Sequence, residues 1–181
     1  SDGNGGVDTA TVTITINGVD DVVSVTPEFR TGVLSGVTDA WTTVTLDHSY
    51  TSMVVVATAN YDMTSAPLVT RLQNAETGNS FDIRVQRVDG SSDSVPPVDV
   101  HYMVVEEGVY TTGAHGIQME AVKYTSTQTS RSGSWNGEIQ TYANSYSNPV
   151  VVGQVMTSND ASFSTFWSHD GSFASPPSAT S

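Results

Sequence analysis

Hydrophobic and polar residues along the chain follow the two-residue period of β-strands, and no window shows a convincing helical period. Residues 7–16 alternate strictly, with Ala10, Val12, Ile14 and Ile16 on one face. Further strand patterns recur about every ten residues, at 41–46, 53–59, 66–72, 80–88 and 98–106. Short strands joined by polar turns predict an all-β, antiparallel β-sandwich.

A stretch containing three consecutive valines occurs twice. Residues 49–57 return about 96 positions later as residues 145–153, with the Ser-Tyr pair and all three valines retained. Such a run predicts a strand buried on both faces, and the self-match predicts a duplicated unit. We therefore expect tandem sandwich units at 23–110 and 111–181, the second with strands at 118–124, 138–142, 145–153 and 162–167.

The repeat also predicts that the second unit is incomplete. By the 96-residue offset, the chain stops near the position that matches Val85, so the counterparts of residues 86–106 are missing. A sandwich that lacks a strand has an open edge.

Residues 1–22 differ from the rest of the chain. An Asp-Gly-Asn-Gly-Gly turn precedes the Thr-rich alternating strand, and Gly-Val-Asp-Asp follows it. This order resembles the end of cadherin-like and VCBS-type repeats, which occur in tandem in large bacterial adhesins. The resemblance implies that residues 1–22 are the C-terminal strand and linker of a preceding cadherin-like repeat, isolated from its own sheet.

The body resembles the H-type lectins, a family with a small six-stranded antiparallel sandwich. The residues that carry the resemblance are Trp41, Tyr50, the valines at 54–56, Phe81-Asp82-Ile83-Arg84-Val85 and Tyr102-Met103-Val104-Val105. In that family an aromatic residue just after the Phe-containing strand helps to hold the sugar. Here residues 86–90 contain neither Trp nor His.

Charge and composition restrict the partners. Nineteen acidic and six basic residues give a net charge of −13, which argues against binding to nucleic acid or to anionic lipid. The absence of cysteine excludes disulfides, thiolate catalysis and Cys-ligated zinc. No apolar run is long enough to insert into a membrane. Few charges and many Ser and Thr residues are typical of secreted or cell-surface β-proteins.

Two acidic segments are candidate Ca²⁺ ligands. They contain Asp2, Asn4 and Asp8 in the first turn and Asp20 and Asp21 in the linker, where cadherin-like repeats hold calcium. Carboxylate and amide oxygens suit Ca²⁺, but six to eight are needed, so neither segment closes a site alone. The alternative is a pair of solvated turns.

The sequence predicts no catalytic set and therefore no enzyme. Ser168-His169-Asp170 has the composition of a catalytic triad, but adjacent residues of an extended chain point to opposite faces. No nucleophile elbow, His-Glu-x-x-His motif or phosphate loop occurs.

Aromatic and amide side chains of the second unit form the best candidate ligand face. Aromatic rings stack on sugars and amides bind hydroxyl groups, although strand aromatics also fill cores. The candidates are Trp135, Asn136, Tyr142, Asn144, Tyr146 and Trp167.

Two functions follow from these patterns. The first is a non-enzymatic, extracellular structural or adhesive module of a large repetitive bacterial surface protein. Neighbouring copies or flanking domains would be its partners, and residues 7–16 would be donated as a strand to a neighbour's open edge. The alternative is a carbohydrate-binding module of a secreted protein or of a polysaccharide-degrading enzyme, with glycans as ligands.

Overall fold

The computed structural model describes residues 27–62, 64–128, 137–170 and 177. Its regular structure is eight strands and one helical turn, α1 (Thr112–His115). In chain order the strands are β1 (Arg30–Val37), β2 (Thr42–Tyr50), β3 (Met53–Asn60), β4 (Leu68–Gln73), β5 (Gly78–Arg87), β6 (Val98–Glu106), β7 (Gly108–Tyr110) and β8 (Met119–Ala121). The all-β prediction is confirmed.

Two three-stranded antiparallel sheets form a sandwich from the first six strands. One sheet has the order β1-β6-β3 and the other β2-β5-β4. The largest fully buried side chains come from both sheets and include Phe81, Met53, Leu72 and Ile83. Alternate residues of each strand face this core, which is the reason for the two-residue period of the sequence.

β3 contains the first valine run and is an edge strand of its sheet. Met53, Val55 and Ala57 are buried, whereas Val54 and Val56 are only half-buried. The prediction that this run is buried on both faces is therefore wrong. Three β-branched residues in a row favour a strand, but only alternate ones reach the core.

β1 is the strand of the sandwich that the sequence patterns did not predict, and the short β7 was not predicted either. Its Gly32 lies opposite Tyr102 of β6, and the Tyr102 ring packs edge-on against Phe81 with centroids 5.6 Å apart. A Cβ atom at position 32 would lie 2.6 Å from Cζ of that ring. Glycine at this position lets the tyrosine ring cover the strand.

The second valine run does not form a strand. Residues 138–142, 145–153 and 162–167 have no strand conformation, so these predictions are wrong, and only part of 118–124 is a strand, as β8. Val150 is 88% exposed and Val152 62% exposed. Strand sequences need a main-chain partner, and in the described residues this run has none. The boundaries at residues 22 and 110 stay predictions.

Candidate functional site

Two edge strands, one from each sheet, lie at the same side of the sandwich, which we call the β3–β4 flank. The hydroxyl of Thr70 in β4 donates a hydrogen bond of 2.9 Å to the carbonyl of Ala57 in β3. Among the residues that the structure describes, neither strand pairs with a further strand on this side, although the Met53 amide at the start of β3 donates to the Glu76 carbonyl at 2.8 Å. At this flank the main-chain groups of one edge strand from each sheet are open to further contacts, as they also are at the opposite edge strands, β1 and β2.

Residues 151–161 cross this flank, and we call them the strap. The side chain of Met156 packs against the sandwich core, and its Sδ accepts a hydrogen bond of 3.5 Å from the Val55 amide. Gln154 bonds twice to Thr70: its Oε1 accepts from the hydroxyl at 3.2 Å and its Nε2 donates to the carbonyl at 3.3 Å. Side chains hold the strap to both edge strands.

The strap continues over the outer face of β4, where it covers Arg71. One terminal nitrogen of this arginine donates to the Ser158 hydroxyl at 3.0 Å and to the Asp160 carbonyl at 2.9 Å. The other terminal nitrogen donates to Gln86 Oε1 at 2.7 Å, and Gln86 Nε2 donates to the Ala161 carbonyl at 3.2 Å. Arg71 is only 4% exposed. The planar guanidinium thus joins the strap to β4 and β5.

Burial is the main reason why the pKa of Arg71 is lowered, and the charge of Arg84 adds to it, whereas Asp160 opposes it. Arg84 is the register partner of Arg71 on β5. Its guanidinium lies 4.7 Å from the centroid of the Trp41 ring, a cation–π contact that holds it on the sheet surface. Because arginine remains charged even with a lowered pKa, the pair is a concentrated positive charge in an acidic protein.

An open groove of about 350 Å³ lies where the strap begins. Val56 and Thr58 of β3 form one wall, and residues 151–153 and 166–168 form the other. Gly153 lies against the Phe166 ring, which a Cβ atom would approach to 2.5 Å. Trp167 lines this groove, is 47% exposed, and its ring centroid lies 4.7 Å from that of His169.

Three of the predicted ligand residues come together beside the β7–β8 hairpin. Tyr142 and Tyr146 pack edge-on at 5.2 Å. Asn144 Nδ2 donates to the Tyr110 carbonyl at 3.1 Å and to Tyr146 Oη at 3.3 Å. Burial raises the pKa of both tyrosines. Asn144 therefore contributes to local structure, with its amide engaged in these contacts.

The Glu120 carboxylate of β8 fixes the backbone of the same segment. It accepts hydrogen bonds from the amides of Ala143 at 2.9 Å and Asn144 at 2.7 Å. Two main-chain donors aimed at one carboxylate form a charge-assisted pair. Residues 143 and 144 are thus positioned without a β-ladder.

The other predicted site residues lie outside the described residues. They are Trp135 and Asn136 of the ligand face, the calcium candidates Asp2, Asn4, Asp8, Asp20 and Asp21, and the donor positions Ala10, Val12, Ile14 and Ile16. Within the described ranges no group of three or more His, Asp or Glu residues could hold a metal ion.

His169 Nδ1 lies 2.6 Å from the main-chain carbonyl oxygen of Asp170. This contact involves the backbone of the neighbouring residue and not its carboxylate. The geometry differs from that of a Ser–His–Asp relay, in which the carboxylate orients the imidazole.

The sequence patterns missed the strap contacts. Arg71 and Gln86 stand at outward positions of alternating strands, which is the usual place for solvated side chains. Gln154 and Met156 belong to a run that the repeat assigned to a strand. Their association with β3 and β4 spans more than 80 positions, and no local period reports such a contact.

No protein-family model matches this chain, and neither the curated proteins nor the solved structures include a match. The resemblances to cadherin-like repeats and to H-type lectins stay predictions. Among the described residues, no helix is long and apolar enough to span a bilayer.

Proposed function

We propose that this chain is a non-enzymatic, extracellular structural or adhesive module of a large repetitive bacterial surface protein. The observation that carries the proposal is the β3–β4 flank, where two edge strands are covered by side chains of the strap and, in the part of the chain that the structure describes, by no further strand. Exposed strand edges are the surfaces through which β-proteins add strands from other chains.

Residues 7–16 supply the matching element. Their alternation provides an apolar face for a neighbour's core and a Thr-rich face for solvent. A donor at one end of the chain and an acceptor in its body produce a head-to-tail contact, which does not close and so propagates. Such a contact would join copies of the chain into an assembly, which could space domains on the cell surface or mediate adhesion between cells. Calcium at Asp20 and Asp21 would stiffen the linker between units.

Sedimentation velocity over a concentration series tests the proposal. The full chain should form species larger than a monomer as its concentration rises. A chain in which Val12 and Ile14 are both changed to Asp should remain monomeric, because charged side chains cannot enter a neighbour's core. Wild-type chain that stays monomeric at millimolar concentration would contradict assembly.

Carbohydrate binding is the second candidate function. Its support is the half-exposed ring of Trp167 in an open groove. Glycans should be tested on an array with wild-type protein, Trp167→Ala and the control Val150→Ala, which changes a side chain that is 88% exposed. Loss of a signal in Trp167→Ala alone supports this function, and no signal above background removes it.

A further inference from the structure

We propose that the outer edge of β3 is the acceptor for residues 7–16 of a second copy, and that the strap occupies this edge in the isolated chain. This inference rests on the proposed assembly and names its site. The sequence repeat predicted the open edge in the second unit, whereas the edge proposed here is β3 of the first sandwich.

The main-chain groups of β3 show which residues are available. In an antiparallel edge strand, alternate residues direct both their N–H and C=O away from the sheet. The Met53 amide donates to the Glu76 carbonyl at 2.8 Å, and the Val55 amide and the Ala57 carbonyl bond to Met156 and Thr70. The outward set is therefore Met53, Val55, Ala57 and, by the same alternation, Ala59.

Of these three hydrogen bonds, the strap supplies the one to Val55, whereas the partners of Met53 and Ala57, Glu76 and Thr70, belong to the sandwich itself. A thioether is a weak acceptor, so the bond from Val55 to Met156 is weaker than a bond to a carbonyl. Among the residues that the structure describes, no main-chain hydrogen bond joins the strap to β3 or β4. A donated strand would replace these side-chain contacts with a ladder of N–H···O=C bonds.

The faces of β3 match those of the donor. Buried Met53, Val55 and Ala57 alternate with the more exposed Val54 and Val56. A strand beside β3 would turn one face inward to the position now held by Met156 and the other face to solvent. The donor has apolar residues for the first face and threonines for the second, and its ten residues span the eight of β3.

We assign the donor to a second copy because the proposed assembly requires a contact between chains. β1 begins at Arg30 and is the opposite edge strand of the sheet that contains β3. Residues 17–29 would be long enough to carry a donor of the same chain past this sheet, because 13 residues span up to ~43 Å, so the hydrogen exchange measurement distinguishes the two sources. Residues 7–16 carry one charge, at Asp8, so the contact itself adds little repulsion between two acidic chains.

Mixing two defective full-length variants tests the assignment. The donor variant carries Val12→Asp and Ile14→Asp. The acceptor variant carries Ala59→Pro, which removes an outward N–H at a position where edge strands tolerate proline. Each variant alone should be monomeric, and their equimolar mixture should form a 1:1 complex and nothing larger, because each complex has one working donor and one working acceptor.

Hydrogen exchange of the wild-type chain provides a second measurement if Ala59→Pro fails to fold. The amides of Val55, Ala57 and Ala59 should become more protected as the chain associates. Equal protection at all concentrations, or protection that rises only elsewhere, overturns the assignment to β3.

Release of the strap should promote assembly. Changing Gln154 and Met156 together to Ala removes the strap's side-chain bonds to Val55 and Thr70 and leaves those to Arg71 in place. We expect the midpoint concentration of assembly to fall about tenfold, which corresponds to ~1.4 kcal/mol. Thr157→Ala is the matched control, since Thr157 is an exposed strap residue. An unchanged or higher midpoint in the double variant contradicts the role of the strap.

These results separate the two proposals. If the wild-type chain assembles but the acceptor and strap variants behave like wild type, assembly stands and the acceptor lies elsewhere. If monomers persist even after the strap is released, both proposals fail. A monomeric chain whose β3 amides lose protection in the donor variant would show an intramolecular strand and would overturn the second copy as donor.

Discussion

At the scale of single residues, Arg87, the last residue of β5, forms an ion pair with Asp89, with the guanidinium 2.6 Å from the carboxylate. The hydrogen bond from Arg87 is the largest cause that lowers the pKa of Asp89 from 3.8 to about 2, and the Ser91 amide adds to it. We predict that Arg87→Gln raises this pKa toward 3.8 without reaching it, because the Ser91 bond remains. Carbon-detected NMR titration of the carboxyl group measures the shift.

The sign of the stability effect follows from the same values. The folded pKa lies below the unfolded one, so the contribution of Asp89 is present above about pH 4 and is lost as the pH falls toward 2. Solvent screening keeps this contribution small at a side chain that is 40% exposed. Arg30→Gln is the control, since it should raise the pKa of Asp47 and leave Asp89 unchanged. An unshifted Asp89 in Arg87→Gln would argue against the ion pair.

Gly32 explains why β1 was not predicted from the sequence. Gly32 occupies an inward position of β1, where its missing side chain leaves room for the Tyr102 ring. Because Gly32 has no side chain, β1 lacks an apolar residue at this inward position, and its sequence does not show the alternation of apolar and polar residues. The ring that completes the pattern comes from β6, 70 positions later. Local sequence carries no record of that pairing.

At the scale of elements, the β2–β3 turn is held by the end of β6. The Glu106 carboxylate accepts hydrogen bonds from the amides of Thr51 at 2.9 Å and Ser52 at 2.6 Å. Replacing Glu106 by Ala leaves two main-chain donors without this acceptor. We predict a loss of about 1–3 kcal/mol in the free energy of unfolding, measured by urea denaturation.

Two variants separate the carboxylate bonds from a general charge effect. Glu106→Gln keeps one carbonyl acceptor and should cost less than Glu106→Ala. Glu76→Gln removes the same charge from an exposed side chain on the neighbouring loop, so it should change stability by less than about 0.5 kcal/mol. Equal stability of Glu106→Ala and wild type would mean that water replaces the carboxylate at no cost.

The second valine run shows the limit of element prediction from a repeat. Residues 49–57 and 145–153 are similar, yet within the described ranges the first stretch alone has a strand partner across β3, in β6. Around the second, Glu120 and Asn144 hold the backbone through side-chain bonds. An alternating or valine-rich sequence favours the extended conformation, but a strand forms β-sheet hydrogen bonds only when a second strand lies beside it. The conformation that the repeat predicted for residues 145–153 is therefore wrong.

At the scale of the whole molecule, the all-β class and five of the six sandwich strands were predictable, because their inner faces follow a strict local period. The candidate site was predictable only in part. Tyr142, Asn144 and Tyr146 do come together, but Arg71 and Met156 acquire their roles through contacts between distant parts of the chain. These contacts form because edge strands of the two sheets lie side by side, and the sequence of one segment alone does not predict which strands become neighbours.

The net charge of −13 leads to the last prediction, which concerns assembly as a whole. Copies of so acidic a chain repel one another, and salt shortens the range of that repulsion to about 8 Å at 0.15 M. Raising NaCl from about 0.02 to about 0.2 M should therefore lower the midpoint concentration of assembly in sedimentation experiments.

CaCl₂ at the same ionic strength distinguishes general screening of charge from binding of Ca²⁺ at a specific site. A larger effect of Ca²⁺ that disappears when Asp20 and Asp21 are changed to Asn would support the predicted calcium ligands, and equal effects would leave screening as the whole cause. Weaker assembly at higher NaCl would contradict the argument, since it would mean that attraction between opposite charges holds the copies together.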